Sequence, residues 1–169
     1  MIDTVSIESP NDFVIRRADA SDSAALAAID STAAAGDMQR VAKIQDWCQQ
    51  GSTLMAERPS GPLGYIVVEY TFFDQGFVSM LMVAPHARRR GIGAQLLEAA
   101  AATCTTEKLF TSTNVSNHSM QSVLLRVGWQ AVGIVHGLDE NDPERRDPDL
   151  DLYHPDRQPP YPAEWLAKF

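Results

Sequence analysis

The segment Met80–Leu97 constrains the fold more than any other. Met80–Val83 is apolar and continues an extended run, and Pro85 then removes a ladder donor and ends the strand. Arg88, Arg89 and Arg90 follow, then Gly91, Ile92 and Gly93. From there the pattern becomes helical, with Ile92, Leu96, Ala100 and Thr103 along one face. A strand that passes into a helix through such a turn leaves free backbone N–H groups at the helix start, backed by the positive end of the helix dipole. The glycines let a ligand approach the backbone without a Cβ in the way. The arginines add bidentate phosphate contacts. The segment therefore reads as an anion cradle, most naturally for a pyrophosphate. A solvated basic turn before a helix is the plainer reading, and the order strand, proline, arginines, Gly-x-Gly, helix weighs against it. A dinucleotide fingerprint is excluded, because its third glycine falls on Leu96 and no early βαβ unit is present.

The flanking pattern is that of an α/β domain. Residues 1–11 form a polar lead-in, residues 12–155 the domain, and residues 156–169 a Pro-rich, aromatic tail. Phe13–Ala18 predicts a first strand. Ser21 is a candidate N-cap for an Ala-rich helix that buries Leu26 and Ile29 and breaks at Gly36. Met38–Gln49 predicts a second helix, with Gly51 as its stop. Thr53–Glu57, Leu63–Phe72 and Phe77–Val83 predict strands of an antiparallel meander, separated by the turn residues of 59–62 and 74–76. The helix Gly91–Cys104 and the strand Leu109–Thr113 complete a parallel crossover. Asn117–Val127 predicts a further helix with Met120, Val123, Leu124 and Val127 on one face, ended by Gly128. Trp129–Leu138 and Leu150–His154 are the last two expected strands.

Composition narrows the classes. Hydrophobic residues make up 44% of the 169 and charged residues 21%, the balance of a globular domain. A net charge of −8 counts against nucleic acid as a partner, since phosphate contacts need a basic surface. It leaves room for a phosphate ligand held by a few local donors. No apolar run is long enough to span a membrane, and the first residues have neither the basic flank nor the apolar block of a signal peptide. Cys48 and Cys104 lie in helical patterns without metal-ligand spacing, which predicts a reduced, cytoplasmic setting. His86, His118, His136 and His154 are too scattered to suggest a metal.

Two motifs carry a family resemblance. The run Val83-x-Pro-x-x-Arg-Arg-Arg-Gly-Ile-Gly93 resembles the acyl-CoA-binding motif Q/R-x-x-G-x-G/A of the GNAT N-acetyltransferases, with Arg88, Gly91 and Gly93 in its fixed places. Downstream, Asn117–Trp129 resembles the family's N-x-x-A-x-x-L-Y-x-K-x-G-F segment, with Asn117, Val123, Arg126, Gly128 and Trp129 in register. The resemblance spans about Phe13 to His154. It implies a mixed, mostly antiparallel sheet of about seven strands, splayed between the fourth and fifth, with about four flanking helices. It also implies direct acetyl transfer from acetyl-CoA, without a metal, to an amine of a small molecule or peptide. By the same resemblance Leu81, Met82 and Val83 pair with the pantetheine arm, and Arg88, Arg89, Arg90, Gly91, Ile92, Gly93 and Ala94 hold the pyrophosphate. Asn117 bonds to the arm, Met120 packs nearby, and a backbone N–H around Val83 polarises the thioester carbonyl.

The match fails at Leu124, which stands where the family often has a tyrosine acid. Tyr153 or Ser119 could substitute, or the thiolate could leave unaided, its intrinsic pKa being about 8.5. A non-catalytic acyl-CoA-binding domain is the alternative that this position raises. Glu69, the single acid in an apolar run, is the candidate general base, and a solvent-facing strand residue is its plain reading. Asp139–Asp151 holds seven acids and reads as a solvated loop, or as a rim that attracts a cationic acceptor. Trp47 is expected to pack its helix on the sheet. Tyr161, Trp165 and Phe169 are expected to cover an apolar patch or a homodimer surface.

Overall fold

A computed structural model describes residues 13–135 and 163–168. The chain forms two compact units, one ending at Leu109 and the other beginning at Phe110. The first holds strand β1 (Val14–Arg17), helices α1 (Ser23–Ile29), α2 (Ser31–Ala34) and α3 (Met38–Gln49), strands β2 (Thr53–Arg58), β3 (Gly61–Phe72) and β4 (Gln75–Val83), and helix α4 (Ile92–Thr103). The second holds all but the first residue of β5 (Leu109–Asn114), then α5 (His118–Arg126), β6 (Gln130–Val135) and β7 (Ala163–Lys168). The class is mixed α/β with seven strands, as the sequence predicts.

In the first unit β1, β2, β3 and β4 pair in chain order, each antiparallel to the next. Residues Leu63–Val68 of β3 are buried without alternation because helices cover both faces of this central strand. On one face Met55, Tyr65 and Val67 meet Leu26 of α1 and Ile44, Trp47 and Cys48 of α3, with Met80 and Met82 of β4 against the same cluster. The other face carries α4, which buries Ile92, Leu96, Leu97 and Ala100. Gly64 is required there. A Cβ at that position would lie 2.6 Å from the Met82 carbonyl oxygen and 3.4 Å from a Leu96 methyl. Thr103 lies off the buried stripe and donates its hydroxyl to the Ala99 carbonyl at 2.9 Å.

Aspartates start the helices of this unit. The expected cap Ser21 is itself capped. Asp19 accepts from its amide, while Asp22 accepts from the Asp19 amide, and the pair closes a 3₁₀ turn over Ala20–Asp22. The Ala-rich segment is interrupted at Asp30, whose extended backbone ends α1 and whose carboxylate accepts from the amides of Thr32 and Ala33 to begin α2. Asp37 caps α3 in the same way.

In the second unit the strand order is β5, β7, β6, with β6 and β7 antiparallel. Within the Pro-rich, aromatic tail, Ala163–Lys168 forms a strand that the sequence pattern did not predict. It supplies the core residues Leu166 and Ala167, and Lys168 donates to the Val127 carbonyl at 2.7 Å beyond the end of α5. The expected strand Leu150–His154, the loop Asp139–Asp151 and Tyr153 lie outside the described residues.

Candidate functional site

The last sheet bond of β4 region is donated by the Ala84 amide to the Leu63 carbonyl at 2.8 Å. Its neighbour Val83 lies opposite Gly64 in a pair that exchanges no hydrogen bonds, so the Val83 N–H points away from β3. A 3₁₀ turn over Pro85–Ala87 then reverses the chain and buries Ala87. Arg88 is extended and returns its Nε to the Val83 carbonyl at 3.3 Å. Arg89 and Gly91 both take positive φ, 62° and 79°, and Gly91 stands at the N-cap of α4 without a side chain to satisfy the helix start.

The first helical bond runs from the Gln95 amide to the Gly91 carbonyl at 3.1 Å. Among the described residues the amides of Ile92, Gly93 and Ala94 therefore have no acceptor in the chain. Nothing within 4 Å opposes a Cβ at Gly91, and one at Gly93 would touch only the Val83 and Leu81 side chains, at 3.6 and 3.8 Å. Neither glycine is demanded by crowding from the protein. Arg88, Arg89 and Arg90 are exposed and, among the described residues, form no ion pair. Three free amides and a helix dipole thus meet at one bare stretch of backbone, directly preceded by three exposed arginines, which suits an anion with several oxygens.

Leu81, Met82 and Val83 are half-buried on the strand that feeds this turn, opposite Ile66, Tyr65 and Gly64. The register slips between Val67–Met80 and Val68–Val78, so Ser79 is the extra residue of a bulge in β4. Its hydroxyl donates to the Glu69 carboxylate. Glu69 is half-buried and lines a shallow pocket of about 250 Å³ with Lys43, Asp46 and Trp47 of α3 and Gln50 just beyond it. It lies four residues along β3 from the Tyr65 that faces Met82, a rise of roughly 13 Å. The structure thus places Glu69 under α3 and displaced from the cradle.

In the second unit Asn117 caps α5, and its Oδ1 accepts from the Met120 amide at 3.1 Å. Met120 is half-buried. Leu124 is completely buried, and a buried hydrocarbon supplies no proton. Ser119 is exposed one residue into α5. Cys104 sits just past the end of α4, half-buried, with its thiol 3.2 Å from the Thr106 hydroxyl. Among the described residues no group of His, Cys, Asp and Glu is arranged to hold a metal, and no helix is long and apolar enough to cross a membrane.

Sequence reasoning missed a polar cluster beneath α3. Tyr65, fully buried, donates its hydroxyl to Asp30 Oδ2 at 2.6 Å. Burial, and then the adjoining carboxylate, push the tyrosine pKa far above its usual value. The nearby positive charge of Arg40 acts against that shift, and its guanidinium reaches the Met80 sulfur at 3.6 Å. An aspartate ahead of Ser31 and Thr32 is a readable cap signal, but its pairing with a strand residue 35 positions away is not.

The cradle's order of elements finds its counterpart in known proteins. The chain matches the acetyltransferase (GNAT) family over residues 24–129, more than half its length. It belongs to that family. Both recognised motifs lie within the matched span. Comparison with curated proteins found no match. Among solved structures, a GNAT-family acetyltransferase from Bacillus cereus ATCC 10987 is 27% identical with a TM-score of 0.75, the match covering 92% of this chain and 96% of that one. The yncA protein of Salmonella typhimurium, solved with acetyl-CoA, is 16% identical with a TM-score of 0.65, covering 92% of each chain. Diaminobutyrate acetyltransferase EctA from Paenibacillus lautus, solved with its substrate and coenzyme A, is 14% identical with a TM-score of 0.66, covering 92% and 93%. This family member is accordingly an acyltransferase of mixed α/β fold.

Proposed function

We propose that the protein transfers the acetyl group of acetyl-CoA directly to a primary amine of a small molecule or peptide. The observation that carries this reading is the set of unpartnered amides at Ile92, Gly93 and Ala94 beside Arg88, Arg89 and Arg90. In this reading those groups hold the pyrophosphate, and Leu81, Met82 and Val83 align the pantetheine arm along β4. Gly91 and Gly93 keep the backbone bare for the phosphates. In α5, Asn117 keeps its side-chain N–H groups for the arm while its oxygen caps the helix, and Met120 lies one turn on.

The acceptor nitrogen attacks the thioester carbonyl carbon, the C–N bond forms and the C–S bond breaks. The outward N–H of Val83 is oriented to stabilise the oxyanion. The amine must first lose a proton, and Glu69, displaced from the cradle, takes it through solvent as general base. The thiolate takes its proton from water, since Leu124 offers none. Most of the acceleration in this scheme comes from holding the reactants together.

The test is amine-dependent release of thiol from acetyl-CoA, screened across amine classes. Replacement Gly91→Glu places a carboxylate where the anion binds and should abolish acetyl-CoA binding while thermal unfolding stays cooperative; undiminished affinity would refute the cradle. The buried Leu124 favours one second reading, a non-catalytic acyl-CoA-binding domain, for which acetyl-CoA binds but no amine releases thiol.

A further inference from the structure

Arg40 is the cation of the first unit that local structure explains least. It lies in the first turn of α3, where the helix dipole disfavours positive charge. It is half-buried, yet among the described residues no carboxylate lies within ion-pair distance, whereas Arg16 engages two. Among the described residues its side chain reaches the Met80 thioether, near the Tyr65 hydroxyl. Arg40 makes no direct hydrogen bond to the buried Asp30. One Asp30 oxygen already accepts from two amides and the other from Tyr65. A guanidinium has five donors, and thioether contact satisfies them poorly. A half-dehydrated cation in this state is suited to an anion that arrives with a ligand.

Its position says which ligand. Met80 adjoins the bulge at Ser79, and Met82, two residues on, leads into the cradle. Along a strand those two methionines are about 6.6 Å apart. An anion on Arg40 would therefore lie on the α3 side of β4, the face that Met80 and Met82 share, two to three residues before the strand end at which the thioester is expected. We propose that Arg40 binds the carboxylate of the acceptor, so that the acceptor is an amino acid. Polyamines and aminoglycosides, which lack that group, are then poor acceptors. This rests on the acetyltransferase reading above and narrows its substrate class.

The experiment compares amino acids with their decarboxylated amines, alanine with ethylamine and phenylalanine with phenethylamine among them, in wild type, Arg40→Met and Arg40→Lys. The expected wild-type kcat/KM favours the amino acid at least tenfold. In Arg40→Met that preference falls below twofold, through a rise in the amino-acid KM, while the KM for acetyl-CoA is unchanged. Arg40→Lys recovers part of it, because an ammonium cannot bind a carboxylate in bidentate fashion. A second readout needs no turnover: N-acetylglycine should raise the melting temperature of wild type but not of Arg40→Met, and N-acetylglycinamide should raise neither. Equal use of amino acid and amine, a preference that survives in Arg40→Met, or no amino acid accepted at all overturns the proposal. Failure of acetyl-CoA to bind wild type instead overturns the acetyltransferase reading, and the N-acetylglycine measurement still decides Arg40.

Discussion

Gly93 separates the needs of the fold from those of the ligand. A methyl group there meets two side chains at ordinary contact distance, and alanine favours the helix over glycine by up to about 1 kcal/mol. Gly93→Ala should therefore leave the melting temperature unchanged or slightly higher, while raising the KM for acetyl-CoA at least tenfold. A lower melting temperature with unaltered KM would make this glycine structural. Glu69 gives the opposite test, because it is held by Ser79 yet stands on the α3 side. If it acts as base, Glu69→Gln should lower kcat by about 100-fold and remove the acid limb of the pH–rate profile. Binding of acetyl-CoA should not change, and an intact acid limb would assign the base elsewhere. Glu69 was legible as a candidate because an acid in an apolar run stands out. Ser79 was not, because its role depends on a bulge that alternation of residue types does not reveal.

At the scale of elements, one side chain ties together β1, the 3₁₀ turn and β2. Arg16 donates to Asp22 at 2.8 Å and to Glu57 at 2.6 Å. The bonds from Arg16 hold the Asp22 carboxyl below the usual carboxylate range, against the opposing effect of burial. A carboxyl with a lowered folded pKa contributes stability that is present above its unfolded pKa, about 3.9. That stability is lost as pH falls through the lower folded value. With Arg16 side chain 39% exposed, solvent screening limits the clamp. Arg16→Ala should cost about 1 kcal/mol near neutrality. Urea denaturation of wild type and variant should converge as the pH drops below 4. A difference that stays constant with pH would show that Arg16 acts through packing alone. Most element boundaries were readable locally, α3 over Met38–Gln49 among them, because apolar spacing and a following Gly51 lie in the chain itself. At Asp30 the cap signal is local, but its bond to Tyr65 across the core was not readable.

At the scale of the whole molecule, the last strand is the strongest constraint on the second unit. Leu166 is 1% exposed and Ala167 is wholly buried, and β7 provides the antiparallel partner of β6. Leu166→Asp buries an unpaired carboxylate and should destabilise the protein by at least about 3 kcal/mol. Deletion of residues 163–169 should leave β6 unpaired on that side and the protein aggregation-prone. A truncated protein that melts like the full chain would show that β7 contributes little to the stability of this unit.

Periodicity, turn residues and the passage from Val83 through Arg88–Arg90 into Gly91 and Gly93 determine, without reference to any distant residue, the α/β class and the anion cradle. Each of those signals spans a few residues, and the backbone groups it frees or satisfies lie within the same segment. Tertiary structure alone decided that Ala163–Lys168 is a strand, that Asp30 meets Tyr65 and that no carboxylate among the described residues lies within ion-pair distance of Arg40. These depend on partners tens of residues apart, brought together only when the sheet and its helices pack, and local sequence carries no record of that distance.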